Sequence, residues 1–271
     1  MCLGQLMVTM FFFYSGFGCW ESFCTKKDYV KGFLRRRVLK TLVHFDIAVA
    51  LYVVVDFALK LQYPLKNYVL CWIGWESLGN SSWFIFTILL LYMATWIGFK
   101  FFGHNKCKCL VTITSLCILL MAALYVAGKE TWWYNTALCY PLGMIYSCTR
   151  HRIEKVLTKP YLYWSGLAAI FIIFLILYMR GGARLYPLCA CAFSTIVIFV
   201  TAKLDFGNPI LIWFGNHLFE IYILQRIPMI VLSSLAIKGP MTFMILTIVF
   251  TIAMAGAFSK ALKRLDDIFI R

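Results

Sequence analysis

The chain has 271 residues, of which 62% are hydrophobic and 14% charged, and its formal net charge is +15. Repeated apolar runs of about 18 residues or more are typical of transmembrane helices. This composition excludes a soluble protein, and because the runs are continuous it also argues against a membrane β-barrel, whose strands alternate. Most of the basic residues lie in short loops between the runs. Membrane topology therefore explains the positive charge, and we expect no nucleic-acid partner.

Nine apolar runs predict a polytopic all-α bundle, with residues 1–271 forming a single membrane-embedded domain. The fifth run is short and carries Pro141 and Gly143, which predicts a broken or tilted helix. The predicted spans are Leu3–Trp20, Leu42–Leu59, Trp83–Phe102, Leu110–Ala127, Trp132–Ser147, Leu162–Met179, Leu185–Ala202, Ile210–Leu232 and Met241–Ser259.

The basic residues also predict the orientation. Nineteen of the 26 fall in alternate loops, beginning with the loop Thr25–Lys40. The positive-inside rule places these loops and the C-terminus in the cytoplasm. The N-terminus is then outside, so a protein with both ends in the cytoplasm would have one further span upstream.

The loop Thr25–Lys40 ends in a dense basic run, Arg35, Arg36, Arg37 and Lys40. Arg37 and Lys40 stand three residues apart, so a helix presents both on one face. Guanidinium groups bind phosphate oxygens well, and the functional interpretation is a clamp for a phosphorylated ligand such as coenzyme A or a lipid headgroup. The alternative is a topology anchor at the membrane surface.

The eighth run contains polar residues that are costly in lipid. His217 and Glu220 stand three apart on one helical face, and Gln225 follows. Such groups usually face a bundle interior or a cavity. They predict either a polar pocket for a substrate or an interhelical hydrogen-bond network that only fixes packing.

Other chemistry receives little support. The two C-x-C pairs, at Cys107 and Cys189, lack a second ligand pair at zinc spacing, so we expect no metal site. A histidine close to a membrane surface, such as His44, is more often incidental than catalytic. Trp83 stands where an interfacial aromatic belt is expected.

Five stretches follow one another along the chain: FFFYSGFG, FLRRRVLK, NSSWFIF, WWYNTALCYPLGMIYS and GNHLFEIYILQRIP, before a last span with a basic tail. In this order they resemble the membrane acyltransferases of acyltransferase family 3, which O-acylate cell-surface polysaccharides and related acceptors. The resemblance covers nearly the whole chain.

The resemblance implies an enzyme of the inner (cytoplasmic) membrane with one span more than the nine predicted here. Its acyl donor would be cytoplasmic acyl-CoA, used as a co-substrate and not as a tightly bound cofactor. Its acceptor would be a hydroxyl of a glycan or lipid-linked sugar, as in polysaccharide O-acetylation. The family's R-x-x-R motif falls on Arg37 and Lys40, where lysine keeps the charge but loses the bidentate fork. Arg36 could substitute.

The resemblance leaves the catalytic base unidentified. The family's histidine lies in its first helix, which would precede Met1. His44, His104 and His151 lie at or near the cytoplasmic ends of spans, where the family places no base. His217 and Glu220 remain candidates. We expect the donor to contact Arg35, Arg36, Arg37 and Lys40, and the pocket to be lined by Trp83, His217, Glu220, Tyr222 and Gln225. Alternatives are a catalytically inactive relative and a non-enzymatic transporter or export subunit.

Overall fold

A computed structural model describes residues 3–182, 184–204, 206–237 and 239–269, and all regular elements among them are helices, which confirms the all-α prediction. A π-helical turn (Leu34–Leu39) precedes α2, and a 3-10 turn (Thr131–Trp133) precedes α6. In chain order the helices are α1 (Leu3–Thr25), α2 (Lys40–Leu59), α3 (Leu65–Leu70), α4 (Trp83–Phe102), α5 (Lys106–Val126), α6 (Cys139–Leu157), α7 (Pro160–Arg180), α8 (Tyr186–Thr201), α9 (Pro209–Asn216), α10 (Leu218–Leu224), α11 (Arg226–Ser234) and α12 (Pro240–Phe269).

Several of these helices suit a membrane. In the most apolar stretch of 18 residues in α7, only 6% of the residues are buried within the protein. The apolar side chains of α7 therefore face outward, as expected for a helix in lipid. The chain is therefore a multi-pass integral membrane protein, while the number of nine spans stays a prediction. Within the described residues, five segments are long and apolar enough to cross a bilayer: Leu34–Leu59, Trp83–Phe102, Lys106–Val126, Pro160–Arg180 and Pro240–Asp266.

Two predicted spans differ from the structure. The run Ile210–Leu232 divides into α9, α10 and α11. His217 leaves the helical conformation between α9 and α10, with φ −113° and ψ 13°, whereas Gln225 between α10 and α11 keeps helical backbone angles. The fifth run, Trp132–Ser147, is also not one continuous helix, because α6 begins only at Cys139, after the 3-10 turn Thr131–Trp133. Pro141 itself does not interrupt α6. It lies in the first turn of α6, where the missing backbone N–H of proline costs nothing.

Contacts divide the chain into two compact units. The first comprises Met1–Leu34 and Leu90–Phe206, and the second comprises Arg35–Leu89 and Gly207–Arg271. The single domain expected from the sequence stays a prediction.

The first unit is built on a close approach of α1 and α6. A Cβ added at Gly16 would lie 2.0 Å from the carbonyl oxygen of Tyr140, and one added at Gly143 would lie 2.0 Å from that of Phe13. These contacts leave no space for a side chain at either glycine. The two helices therefore pack backbone against backbone, as small residues allow in membrane helix pairs.

The second unit holds α10 in place through buried hydroxyl groups. The Tyr52 hydroxyl, on α2, donates to the carbonyl oxygen of Ile223 at 3.0 Å. The Tyr222 hydroxyl donates to the carbonyl oxygen of Ser81 at 3.1 Å. A buried hydroxyl needs a partner, so these bonds fix the position of α10 beside α2.

Candidate functional site

A cavity of about 320 Å³ lies in the second unit. Three parts of the chain form it: the beginning of α2 with the π-helical turn before it, the junction of α9 and α10, and the C-terminal part of α12. Its lining residues are Arg36, Arg37, Lys40, Thr41, His44, Asn216, Phe219, Glu220, Ser259, Leu262, Lys263 and Asp266.

The lining is strongly basic. It contains four cationic side chains, Arg36, Arg37, Lys40 and Lys263, against two carboxylates, Glu220 and Asp266. With His44 neutral, two positive charges are in excess. Charges of one sign lining a cleft between low-dielectric walls attract counter-ions, so this cavity favours an anionic ligand.

The α2 wall of the cavity follows from helix periodicity. Lys40 and His44 are four residues apart, so both side chains leave the same face of α2. The π-helical turn Leu34–Leu39 directly precedes them and carries Arg36 and Arg37. Short π-helical segments are rare and occur frequently at functional sites.

The α12 wall is formed by a second periodic row. Ser259, Leu262, Lys263 and Asp266 follow a spacing of three, four and seven residues, which places them on one helical face. A short ion-pair network joins this face to α2. The Asp266 carboxylate accepts from Lys40 Nζ at 2.6 Å through Oδ2 and from His44 Nε2 at 2.9 Å through Oδ1.

This network is sheltered from solvent. The exposed fraction of the side chain is 10% for His44 and 19% for Asp266, whereas it is 41% for Lys40. Phe219 packs near the histidine, with ring centroids 6.5 Å apart. A histidine held by a carboxylate beside a cavity is an arrangement that suits proton transfer.

The structure brings together part of the predicted site. Arg36, Arg37, Lys40 and Glu220 line the cavity, whereas Arg35 is exposed and is not among its described lining residues. Three residues of the basic run and Glu220 of the eighth run thus meet around one cavity, although no sequence pattern linked the two runs.

His217 has a different environment. Its ring stacks on Trp213 with centroids 4.2 Å apart, and its Nδ1 lies 2.8 Å from the Trp213 carbonyl oxygen. His217 occupies the break between α9 and α10 and does not belong to the described lining of the cavity. Its contacts fit local packing better than substrate binding.

The remaining predicted pocket residues also lie apart from this lining. The buried Tyr222 hydroxyl is engaged by the Ser81 carbonyl oxygen, and its ring packs edge-on against Phe84. Trp83 packs edge-on against the Phe84 ring as well. Gln225 stands between α10 and α11. Of these three residues, Tyr222 joins α10 to the segment before α4 through its hydroxyl group.

Among the lining residues that sequence reasoning missed, three are ionisable: His44, Lys263 and Asp266. His44 was discounted because of its position at the membrane surface. The four-residue spacing from Lys40 to His44 was the available signal, since it joins the histidine to the basic face. No local signal paired Asp266 with them, because the partner of a helix face depends on tertiary packing.

Comparison with known proteins gives one family. The family model described as an acyltransferase domain, that of acyltransferase family 3, matches residues 2–261. The match includes every described lining residue of the cavity except Leu262, Lys263 and Asp266. No curated protein and no solved structure matches the chain significantly.

Proposed function

The chain belongs to acyltransferase family 3, and on that premise we propose that it is an O-acyltransferase using acyl-CoA as donor. The family and the apolar helices establish a membrane acyltransferase in general terms. The proposal adds the donor, the acceptor and the direction. An acyl group such as acetyl passes from cytoplasmic acyl-CoA to a hydroxyl of a cell-envelope glycan or lipid-linked sugar.

The basic cavity is the observation that carries the choice of donor. Acyl-CoA bears its phosphate groups at the end away from the thioester, and phosphate oxygens pair well with guanidinium and ammonium groups. Arg36, Arg37 and Lys263 supply such groups in one cavity. The arginines are the principal donor contacts in this proposal, because a guanidinium group can pair with two phosphate oxygens at once.

The same cavity supports the proposed orientation. It is formed where α2 begins and toward the end of α12, so the N-terminal end of α2 and the C-terminal part of α12 lie beside each other. If the loop Thr25–Lys40 and the C-terminus lie in the cytoplasm, the cavity opens toward the compartment that supplies acyl-CoA. The protein then resides in the cytoplasmic membrane.

Donor binding tests this proposal directly. The substitutions Arg36→Gln, Arg37→Gln and Lys40→Gln remove three charges from the cavity wall, and calorimetric titration with CoA measures the effect in detergent or nanodiscs. Losing a single charge-assisted contact costs about 1.5 kcal/mol, so we expect the Kd for CoA to rise at least about tenfold.

A matched control removes the same charge from the same loop. Lys26→Gln, Lys27→Gln and Lys31→Gln change exposed side chains that are not among the described lining residues of the cavity. We expect CoA affinity within about twofold of wild type at moderate ionic strength, because exposed charges are screened by salt. Equal CoA affinity in wild type and the cavity variant would contradict donor binding here and favour the topology anchor.

A further inference from the structure

A second cavity, of about 570 Å³, lies in the first unit. It is formed by the C-terminal part of α5, the segment that leads into α6, and the beginning of α8. We propose that this cavity binds a membrane lipid whose head carries an anionic phosphate group. The inference is independent of the function proposed above, which rests on a cavity of the second unit.

The α5 wall of this cavity suits a hydrocarbon chain. Ile118, Met121, Ala122 and Tyr125 follow a spacing of three, four and seven residues, so they share one face of the helix. This row extends over about 10 Å, which is about a third of the hydrocarbon thickness of a bilayer. Because α5 is long and apolar enough to cross a membrane, the row offers apolar contact within the hydrocarbon region.

Hydrogen-bond donors line the cavity where α5 ends. Tyr125 stands in the last turn of α5, and Thr131, Tyr134 and Asn135 follow in the segment before α6. The rings of the two tyrosines meet edge-on, with centroids 6.4 Å apart. Tyrosines are enriched at the level of the lipid headgroups. Hydroxyl and amide groups donate to phosphate oxygens, so these residues suit a phosphate head at that depth.

Arg184 carries the only full charge in the described lining. It follows α7, which is also long and apolar enough to cross a membrane and which ends at Arg180. Arg184 is exposed, and the described lining contains no carboxylate that would balance its charge. A guanidinium group can bind two phosphate oxygens at once. The cavity therefore favours an anionic head over a zwitterionic one.

The order of these groups matches the order of groups in a lipid. The apolar row lies within the membrane-crossing length of α5, and the donors and the guanidinium group lie beyond its end. A soluble anion would contact only the polar end of the cavity. A lipid would contact both parts, with its phosphate at Arg184 and a chain along α5. The volume also falls in the range of about 300–1,000 Å³ that is typical of ligand pockets.

Native mass spectrometry of the full chain in detergent tests the head contact. The protein is titrated with phosphatidylglycerol, and the Kd of the first bound lipid is compared between variants. We expect Arg184→Gln to raise this Kd at least about fivefold, the usual effect of one basic side chain near anionic lipid. Arg180→Gln is the matched control, because Arg180 is exposed and is not among the described lining residues. We expect its Kd within about twofold of wild type.

The chain contact is tested by filling the apolar side of the cavity. In Ala122→Trp an indole ring occupies space that the chain needs, so we expect the Kd to rise at least about tenfold, equivalent to losing about two buried methylene groups. Ala123→Trp is the control, since Ala123 is also exposed but is not among the described lining residues. Because both contacts involve one bound lipid, Arg184→Gln should have a smaller effect in the Ala122→Trp background.

A series of ligands tests the chemistry and identifies its source. Phosphatidylcholine with the same chains has no net charge, and we expect it to bind at least about fivefold more weakly than phosphatidylglycerol. Glycerol 3-phosphate carries the anion without the chains and should not displace the lipid at equal concentration. A polyprenyl phosphate carries the same head chemistry on another chain. Tighter binding of it, with the same losses in the variants, would identify a polyprenyl carrier as the source.

Four results would overturn the proposal. Equal Kd values for Arg184→Gln and Arg180→Gln would exclude the head contact, and wild-type affinity in Ala122→Trp would exclude the chain contact. Equal binding of the two phospholipids would show that charge has no role. Displacement by glycerol 3-phosphate would indicate a site for a soluble phosphate instead. None of these results bears on CoA binding in the basic cavity, so the proposed function is tested separately.

Discussion

The contact of α1 with α6 allows a stability prediction that can be worked from geometry. An added methyl group at Gly143 would lie 2.0 Å from the Phe13 carbonyl oxygen, where ordinary contact begins at 3.4 Å. Because the opposing atom is backbone, it cannot rotate away, and the helices must separate by about 1.4 Å. On the facing helix, a methyl group added at Gly16 would lie equally close, 2.0 Å, to the Tyr140 carbonyl oxygen.

The expected change in the free energy of unfolding is the sum of two opposing contributions. Forcing extra volume into a packed contact costs about 1–3 kcal/mol and occasionally more, whereas replacing glycine by alanine in a helix gains about 1 kcal/mol. Since the contact here is far inside the normal limit, we expect Gly143→Ala and Gly16→Ala each to lower the free energy of unfolding by about 2 kcal/mol. A single separation of the two helices relieves both clashes. The double variant should therefore lose less free energy of unfolding than the two single variants lose together.

Unfolding of the purified protein by titration with sodium dodecyl sulfate measures these changes. Gly256→Ala in α12 is the control, because the nearest atom to its added methyl group belongs to the Trp213 ring at 3.7 Å. We expect this variant to be as stable as wild type or up to about 1 kcal/mol more stable. Wild-type stability of Gly143→Ala, or an equal loss in Gly256→Ala, would refute the close packing of α1 and α6.

Two further predictions concern the second unit. Glu220→Gln removes a carboxylate from a cavity with excess positive charge, so CoA should bind about two- to fivefold tighter in calorimetric titration, and weaker binding would contradict an anion site. Tyr222→Phe removes the hydrogen bond to the Ser81 carbonyl oxygen, so the free energy of unfolding should fall by about 1 kcal/mol, and unchanged stability would show that this bond contributes nothing net.

The convergence of Arg36, Arg37, Lys40 and Glu220 on one cavity could be anticipated only in part. The spacing of the basic run determines which side chains share a face of α2, and polar groups in an apolar run predict a cavity. Which helices then meet depends on packing between segments far apart in the chain. Asp266 is 222 residues from His44, and no local pattern links them.

The eighth run shows a second limit of sequence reasoning. Its apolar length favoured one continuous span, and the polar residues were interpreted as a face of that span. The structure instead interrupts the helix at His217, whose backbone leaves the helical conformation. This interruption lies at one of the polar residues, where backbone groups released from a helix can be satisfied by neighbouring protein groups. A hydropathy pattern cannot distinguish a continuous helix with a polar face from a helix that is interrupted at its polar residues.

The most direct test of the account is acyl transfer by wild-type protein. Membranes or proteoliposomes containing the chain are given acetyl-CoA labelled in the acetyl group, together with a cell-envelope glycan fraction. We expect label to appear in the glycan as an alkali-labile ester, with free CoA released in equal amount. Absence of labelled ester across a series of short acyl-CoA donors, in protein shown to bind CoA, would contradict the O-acyltransferase and favour an inactive relative or a transporter.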